Sequence, residues 1–150
     1  MGHDRDLDDL VQESFVAALR GLGALREPQA FAAWFSSIVV QTAHKLLRRR
    51  RLARRLGLYR PEPLDVDTLI ARDAPADVVV ELRALYTLVD GLPPRLRVPL
   101  VLRRVEGHSL DEVASLMGCS LATVKRAVAE AERQLESALQ RATPVARRAP

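Results

Sequence analysis

Residues Ser109–Glu130 read SLDEVASLMGCSLATVKRAVAE, and the punctuation of this stretch decides the fold of the second half of the chain. Ser109 is followed three residues later by Glu112, the reciprocal pair that satisfies two orphan amides at a helix start. Leu110, Val113, Ala114 and Met117 then recur at helical spacing. Gly118 is free to take the left-handed conformation that ends such a helix. Ser120 is placed to cap a second helix, with Leu121, Val124 and Val128 on its inner side and Thr123, Lys125 and Arg126 outside. Two helices joined by a tight Gly-containing turn are helix-turn-helix geometry, and the second helix has the size of a major groove. An ordinary αα-hairpin with a solvated basic face fits the same residues.

The 150-residue chain is 48% hydrophobic but only 4% aromatic, so its cores must be packed from Leu, Val and Ala. A formal charge of +4 gives a mild preference for polyanions. The single cysteine, Cys119, excludes an internal disulfide framework and fits a reducing cytoplasm. Neither a signal peptide nor an apolar run long enough to insert in a membrane is evident.

Charge divides the chain. Residues 1–57 carry ten Lys/Arg against six Asp/Glu, residues 58–77 two against five, and residues 78–142 nine against eight. The middle stretch contains three prolines and has no helical period. The expected organisation is therefore all-α: a helical domain over 1–57, an acidic linker over 58–77, a second helical domain over 78–142 and a flexible tail over 143–150. In the first domain, Leu7, Leu10, Val11, Ser14/Phe15, Ala18 and Leu22 form one stripe. After a glycine-containing break, Pro28 suits the first position of a helix carrying Phe31, Trp34, Phe35, Ile38 and Leu46. That helix ends in Arg48 to Arg51, Arg54 and Arg55. Cations suit a helix C-terminus, but six exceed what its dipole explains, and a phosphate backbone is the better partner. In the second domain, a helix from about Val78 to Val89 precedes one opened by Pro93-Pro94 and interrupted by Pro99.

In this order, a basic helical domain, an acidic linker and a helix-turn-helix domain resemble a group IV (extracytoplasmic-function) sigma factor of the sigma-70 family. "DLVQESFVAAL" is similar to the second helix of sigma region 2, and "AFAAWFSSIVVQTAHKLLRRRR" to the helix after it. "LVDGLPPRLRVPLVLRRVEGHSLDEVASLMGCSLATVKR" is similar to region 4. The resemblance implies an alternative sigma factor in the bacterial cytoplasm that binds core RNA polymerase and directs transcription initiation. It implies that Asp9, Gln12 and Glu13 dock on the β′ clamp helices, with a further contact to the β flap. It places −10 recognition and melting on Gln41, Lys45, Arg48, Arg49, Arg50 and Arg51. The −35 element falls to Ser120, Thr123, Lys125 and Arg126. The acidic linker would thread the polymerase's RNA channels, and an anti-sigma factor is the expected regulator.

The chain departs from the family in three ways. The short start and two acids favour an alternative reading, a sigma-like regulator or decoy that binds polymerase, an anti-sigma factor or DNA without supporting initiation, while the changes at Gln41 and Lys45 bear on −10 recognition. The chain has only a few residues before "DLVQE", where the family has a further helix. Gln41 and Lys45 stand where relatives usually carry Asn and Asp. Glu130 and Glu132 fall where the recognition helix is usually basic, and each would repel phosphates. An enzyme is not expected. His3, His44 and His108 are scattered, with no metal-ligand spacing and no Gly-rich phosphate loop, so no cofactor or metal is implied. His44 reads as a surface or DNA-facing residue, and Cys119 as a small buried filler.

Overall fold

The computed structural model describes residues 5–58 and 75–142. Most of the expected linker and all of the expected tail lie outside the described residues. Among the described residues there are six α-helices and no strand: α1 (Arg5–Gly21), α2 (Phe31–Arg55), α3 (Ala76–Gly91), α4 (Pro94–Arg104), α5 (Leu110–Met117) and α6 (Leu121–Ala142). Two short 3-10 turns, Leu22–Ala24 and Pro28–Ala30, connect α1 to α2. Pro28 thus opens a 3-10 turn rather than the helix itself, which starts three residues later.

The hairpin forms as its sequence requires. Ser109 Oγ accepts from the Glu112 N–H (3.2 Å), and Glu112 Oε2 accepts from the Ser109 N–H (2.7 Å). These bonds to Ser109 hold the Glu112 carboxyl below its ordinary pKa. Gly118 ends α5 at φ +64°, and the Cys119 N–H closes back on the Ala114 carbonyl at 3.0 Å. Ser120 Oγ then accepts from the Thr123 N–H at 3.3 Å and starts α6.

The apolar sides of α4, α5 and α6 meet in one core of Leu92, Leu96, Leu100, Val113, Ala114, Val124, Val128 and Ala131. Leu96, Val113 and Val124 are essentially inaccessible. Each such side chain contributes about 1.5–3 kcal/mol of transfer free energy. Pro99 sits inside α4 with its ring fully buried, so the helical N–H it lacks is exchanged for apolar packing. Cys119 packs half-buried against this core.

The α1–α2 pair is built differently. Its seam holds small residues, Ser14, Ala18 and Thr42, which let the two helices approach closely. Phe15, Phe31 and Phe35 cluster at one end, with ring centroids 5.4 and 5.8 Å apart, and Trp34 joins Phe31 at 5.9 Å. The expected inner stripe of α1 is therefore split. Ser14 and Ala18 are buried, whereas Leu7, Val11, Phe15 and Leu22 remain about half exposed. The other side of α2 packs against α4 and α5. There a Cβ on Gly118 would lie 3.3 Å from Gln41 Nε2, and Arg54 meets Asp90 at the end of α3 at 3.5 Å.

Candidate nucleic-acid interface

α6 has one rooted side and one bare side. Val124, Val128 and Ala131 fix it in the core, while Ser120, Thr123, Lys125 and Arg126 are exposed. At 100° per residue, Thr123 and Arg126 share a side of the helix, and Lys125 stands about 100° from Arg126 on its flank. The hairpin thus brings together Thr123 and Arg126 as a pair suited to base edges, and Lys125 as a cation suited to a phosphate. Ser120 is used in the cap, its hydroxyl 2.9 Å from that of Thr123. Arg126 Nε donates to the Ala122 carbonyl at 3.3 Å, so the guanidinium lies along the helix and must swing outward to reach a groove.

The two acids expected to repel phosphates have partners. Glu132 accepts from Arg104 Nε at 2.7 Å and fastens α6 to α4. Glu130 takes Gln134 Nε2 at 2.7 Å and the Arg133 guanidinium. Those two bonds hold the Glu130 carboxyl below its ordinary pKa. Its charge therefore persists, balanced by Arg133 one turn further on.

The basic run at the end of α2 does not act as one patch. Gln41, Lys45 and Arg48 are exposed and follow one another along a single side of the helix at i, i+4 and i+7. Arg49 turns toward α1, where its Nη2 meets Glu13 Oε2 at 3.0 Å, and Arg50 is half-buried. Arg51 is exposed beside the first row. On α1, Asp9, Gln12 and Glu13 are all exposed at i, i+3 and i+4. The Glu13–Arg49 pair links this candidate docking row to the candidate DNA row.

His44 is not the free surface residue its sequence position suggests. Its Nε2 is sealed from solvent with no hydrogen-bond partner among the described residues. Burial, and secondarily the charge of Arg48, lowers its pKa from the ordinary 6.5.

Sequence reasoning also missed Asp90, which takes both Arg54 of α2 and Arg97 of α4. It missed the apolar groove of about 1140 Å³ between α3, α4 and α6, lined by Leu85, Val89, Leu100, Val101, Leu135 and Leu139. Signals for either lie in tertiary placement and not in any local pattern. Among the described residues no cluster of His, Cys, Asp and Glu could hold a metal ion. Nor is any described helix long and apolar enough to cross a membrane.

Comparison with known proteins agrees with this architecture. Residues 1–53 match the family model "Sigma-70 region 2", and residues 82–135 match "Sigma-70, region 4". The ECF RNA polymerase sigma-E factor of Salmonella typhimurium (strain LT2) is 31% identical over 149 residues, covering 90% of this chain and 74% of that protein. Its counterpart in Haemophilus influenzae is 32% identical over 142 residues, covering 90% and 75%. Among solved structures, the sigma factor RpoE of Bartonella quintana, in complex with the anti-sigma factor NepR, superposes with a TM-score of 0.64. That match is 20% identical and covers 93% of this chain and 84% of RpoE. The chain belongs to the extracytoplasmic-function group of the sigma-70 family, the alternative sigma factors that direct RNA polymerase in transcription initiation.

Proposed function

We propose that this sigma factor reads the −35 element with Thr123 and Arg126, steadied by Lys125 and the Ser120 cap. The observation that carries the reading is the exposure of these residues on a helix whose opposite side is rooted in a solid core. The row of Gln41, Lys45 and Arg48, flanked by Arg49, Arg50 and Arg51, serves the −10 element, where basic side chains hold the separated strand. Asp9, Gln12 and Glu13 dock on the β′ clamp helices. The groove between α3, α4 and α6 takes an apolar segment of the β flap. The factor works in the bacterial cytoplasm and carries no catalytic group of its own. Because RpoE of B. quintana is bound by NepR, an anti-sigma factor is its proposed regulator. The domain limits 1–57 and 78–142 are proposed as the units that engage the two promoter elements.

Pull-down of core RNA polymerase, followed by run-off transcription on genomic fragments, tests the assignment. The expected result is polymerase binding with discrete start sites, and loss of polymerase binding in Asp9→Arg while duplex binding survives. Polymerase binding without discrete starts would instead favour the regulator or decoy reading.

A further inference from the structure

Resting on the assignment of α6 to the −35 element, we propose that Glu130 is a further base-reading residue of that helix and selects a cytosine. Around α6, Glu130 lies about 20° from Thr123 and 40° from Arg126, so it projects between the two residues assigned to base edges. Val124, Val128 and Ala131, which root the helix in the core, stand about 100–160° further around. Along the axis Glu130 follows Arg126 by about 6 Å, or roughly two base-pair steps of 3.4 Å. The other acid of this helix is placed differently. Glu132 stands about 180° from Thr123 and is engaged by Arg104 of α4.

The carboxylate of Glu130 is held ready beside the duplex. Its Oε1 accepts from Gln134 Nε2 at 2.7 Å, and its Oε2 accepts from the Arg133 guanidinium. Both partners come from the next turn of α6, so the carboxylate is oriented before DNA arrives. Arg133 makes the pair neutral toward the phosphates that line a groove, which removes most of the repulsion an unpaired acid would meet. The bonds from Gln134 and Arg133 also hold the carboxyl below its ordinary pKa, so it stays an acceptor. Two carboxylate oxygens offer about four acceptor sites; two are taken, and each oxygen keeps one. Major-groove chemistry then decides the base. Guanine presents two acceptors and thymine an acceptor beside a methyl, whereas adenine sets the N7 acceptor next to its amine. Only cytosine offers an amine with no acceptor of its own beside it, and a carboxylate is its natural partner.

The test is selection from a fully randomised duplex library by the full chain loaded on core RNA polymerase, read by sequencing. Wild type should enrich a guanine and a cytosine at fixed spacing, within about three base pairs of one another. Arg126→Ala should flatten the guanine and keep the cytosine. Glu130→Gln should keep the guanine and replace the cytosine with adenine, the base that a glutamine amide pairs with. On the enriched duplex, changing that cytosine to adenine should weaken wild-type binding about five- to fifty-fold, within the range of one good base contact, and should not weaken Glu130→Gln. The hydrogen bonds of Glu130 stay within α6, and exposed pairs of this spacing add little to stability, so the variant keeps the fold. Identical base preferences in wild type and Glu130→Gln would overturn the inference. So would a uniform rise in the variant's affinity across all sequences, the mark of an acid that only repels phosphate. Either result leaves the −35 reading standing. An enriched motif that ignores Arg126→Ala, or no motif at all, would sink the −35 reading itself and this inference with it.

Discussion

Replacing Ser14 with alanine should stabilise the α1–α2 pair, although it removes a polar group from a helix of a DNA-binding protein. Ser14 is 2% exposed, and its hydroxyl finds no hydrogen-bond partner among the described residues. Burying an unpaired hydroxyl costs about 1–3 kcal/mol by mutational measures. Alanine recovers that penalty and adds roughly 0.5 kcal/mol of helix propensity. Against these gains, the void left by one oxygen is smaller than a methyl group and costs less than about 1 kcal/mol. The net expectation is a gain of about 1–2 kcal/mol. Thr42, across the same seam, is the control, because its hydroxyl donates to the Ile38 carbonyl at 2.8 Å. Thr42→Val keeps the shape and loses that bond, so it should cost about 0.5–1.5 kcal/mol. The single tryptophan, Trp34, lies within this pair, with its ring edge 3.2 Å from where a Gly21 Cβ would sit. Its fluorescence therefore follows urea unfolding of this pair. With a slope of about 2 kcal/mol/M, Ser14→Ala should raise the midpoint by roughly 0.5–1 M and Thr42→Val should lower it. A midpoint that falls in Ser14→Ala would show that the hydroxyl is bonded in solution and that the reasoning about the seam is wrong.

Three further outcomes can be checked. Arg126→Ala should weaken binding to −35-containing duplex by about 1–3 kcal/mol and relax its sequence preference; equal loss on random duplex in a fluorescence-anisotropy titration would reduce Arg126 to a phosphate contact. Gly118→Ala should lower the stability of the helix-turn-helix unit by about 1–2 kcal/mol, since a Cβ at φ +64° is strained; circular dichroism melting reads it, and an unchanged melt would argue against the left-handed turn. His44 is held below its ordinary pKa of 6.5, so the unfolded chain takes the proton first as pH falls. Stability contributed by neutral His44 is thus present above about 6.5 and lost as pH drops toward the folded value. Wild type should lose urea resistance as pH falls below about 6.5, and His44→Gln should lose less; equal loss in both would remove His44 as the cause.

The helix-turn-helix unit was legible because its determinants are local. Ser109, Glu112, Gly118 and Ser120 act within three or four residues of themselves, and each occupies the role its position dictates. The α1 stripe was read less well. A hydrophobicity pattern assigns Leu7, Val11 and Phe15 to an inner side, but the seam selects small residues, so Ser14 and Ala18 take it. Glu132 looked like a liability because its partner, Arg104, lies 28 residues away on another helix. Asp90 was invisible for the same reason. Its two arginines belong to different halves of the chain, and nothing in its neighbourhood marks it.

The two-sided burial of α2 also imposes an order in time. α2 ends at Arg55, and the last helix it depends on indirectly, α6, ends at Ala142. A ribosome adding 5–20 residues per second needs roughly 4–17 s to make the intervening 87 residues. Throughout that interval the nascent α1–α2 pair has its small-residue seam but lacks α4 and α5 against the other side of α2, and it has no large core of its own. It is then open to proteases and to holding chaperones, and synthesis of the C-terminal half is what ends that exposure.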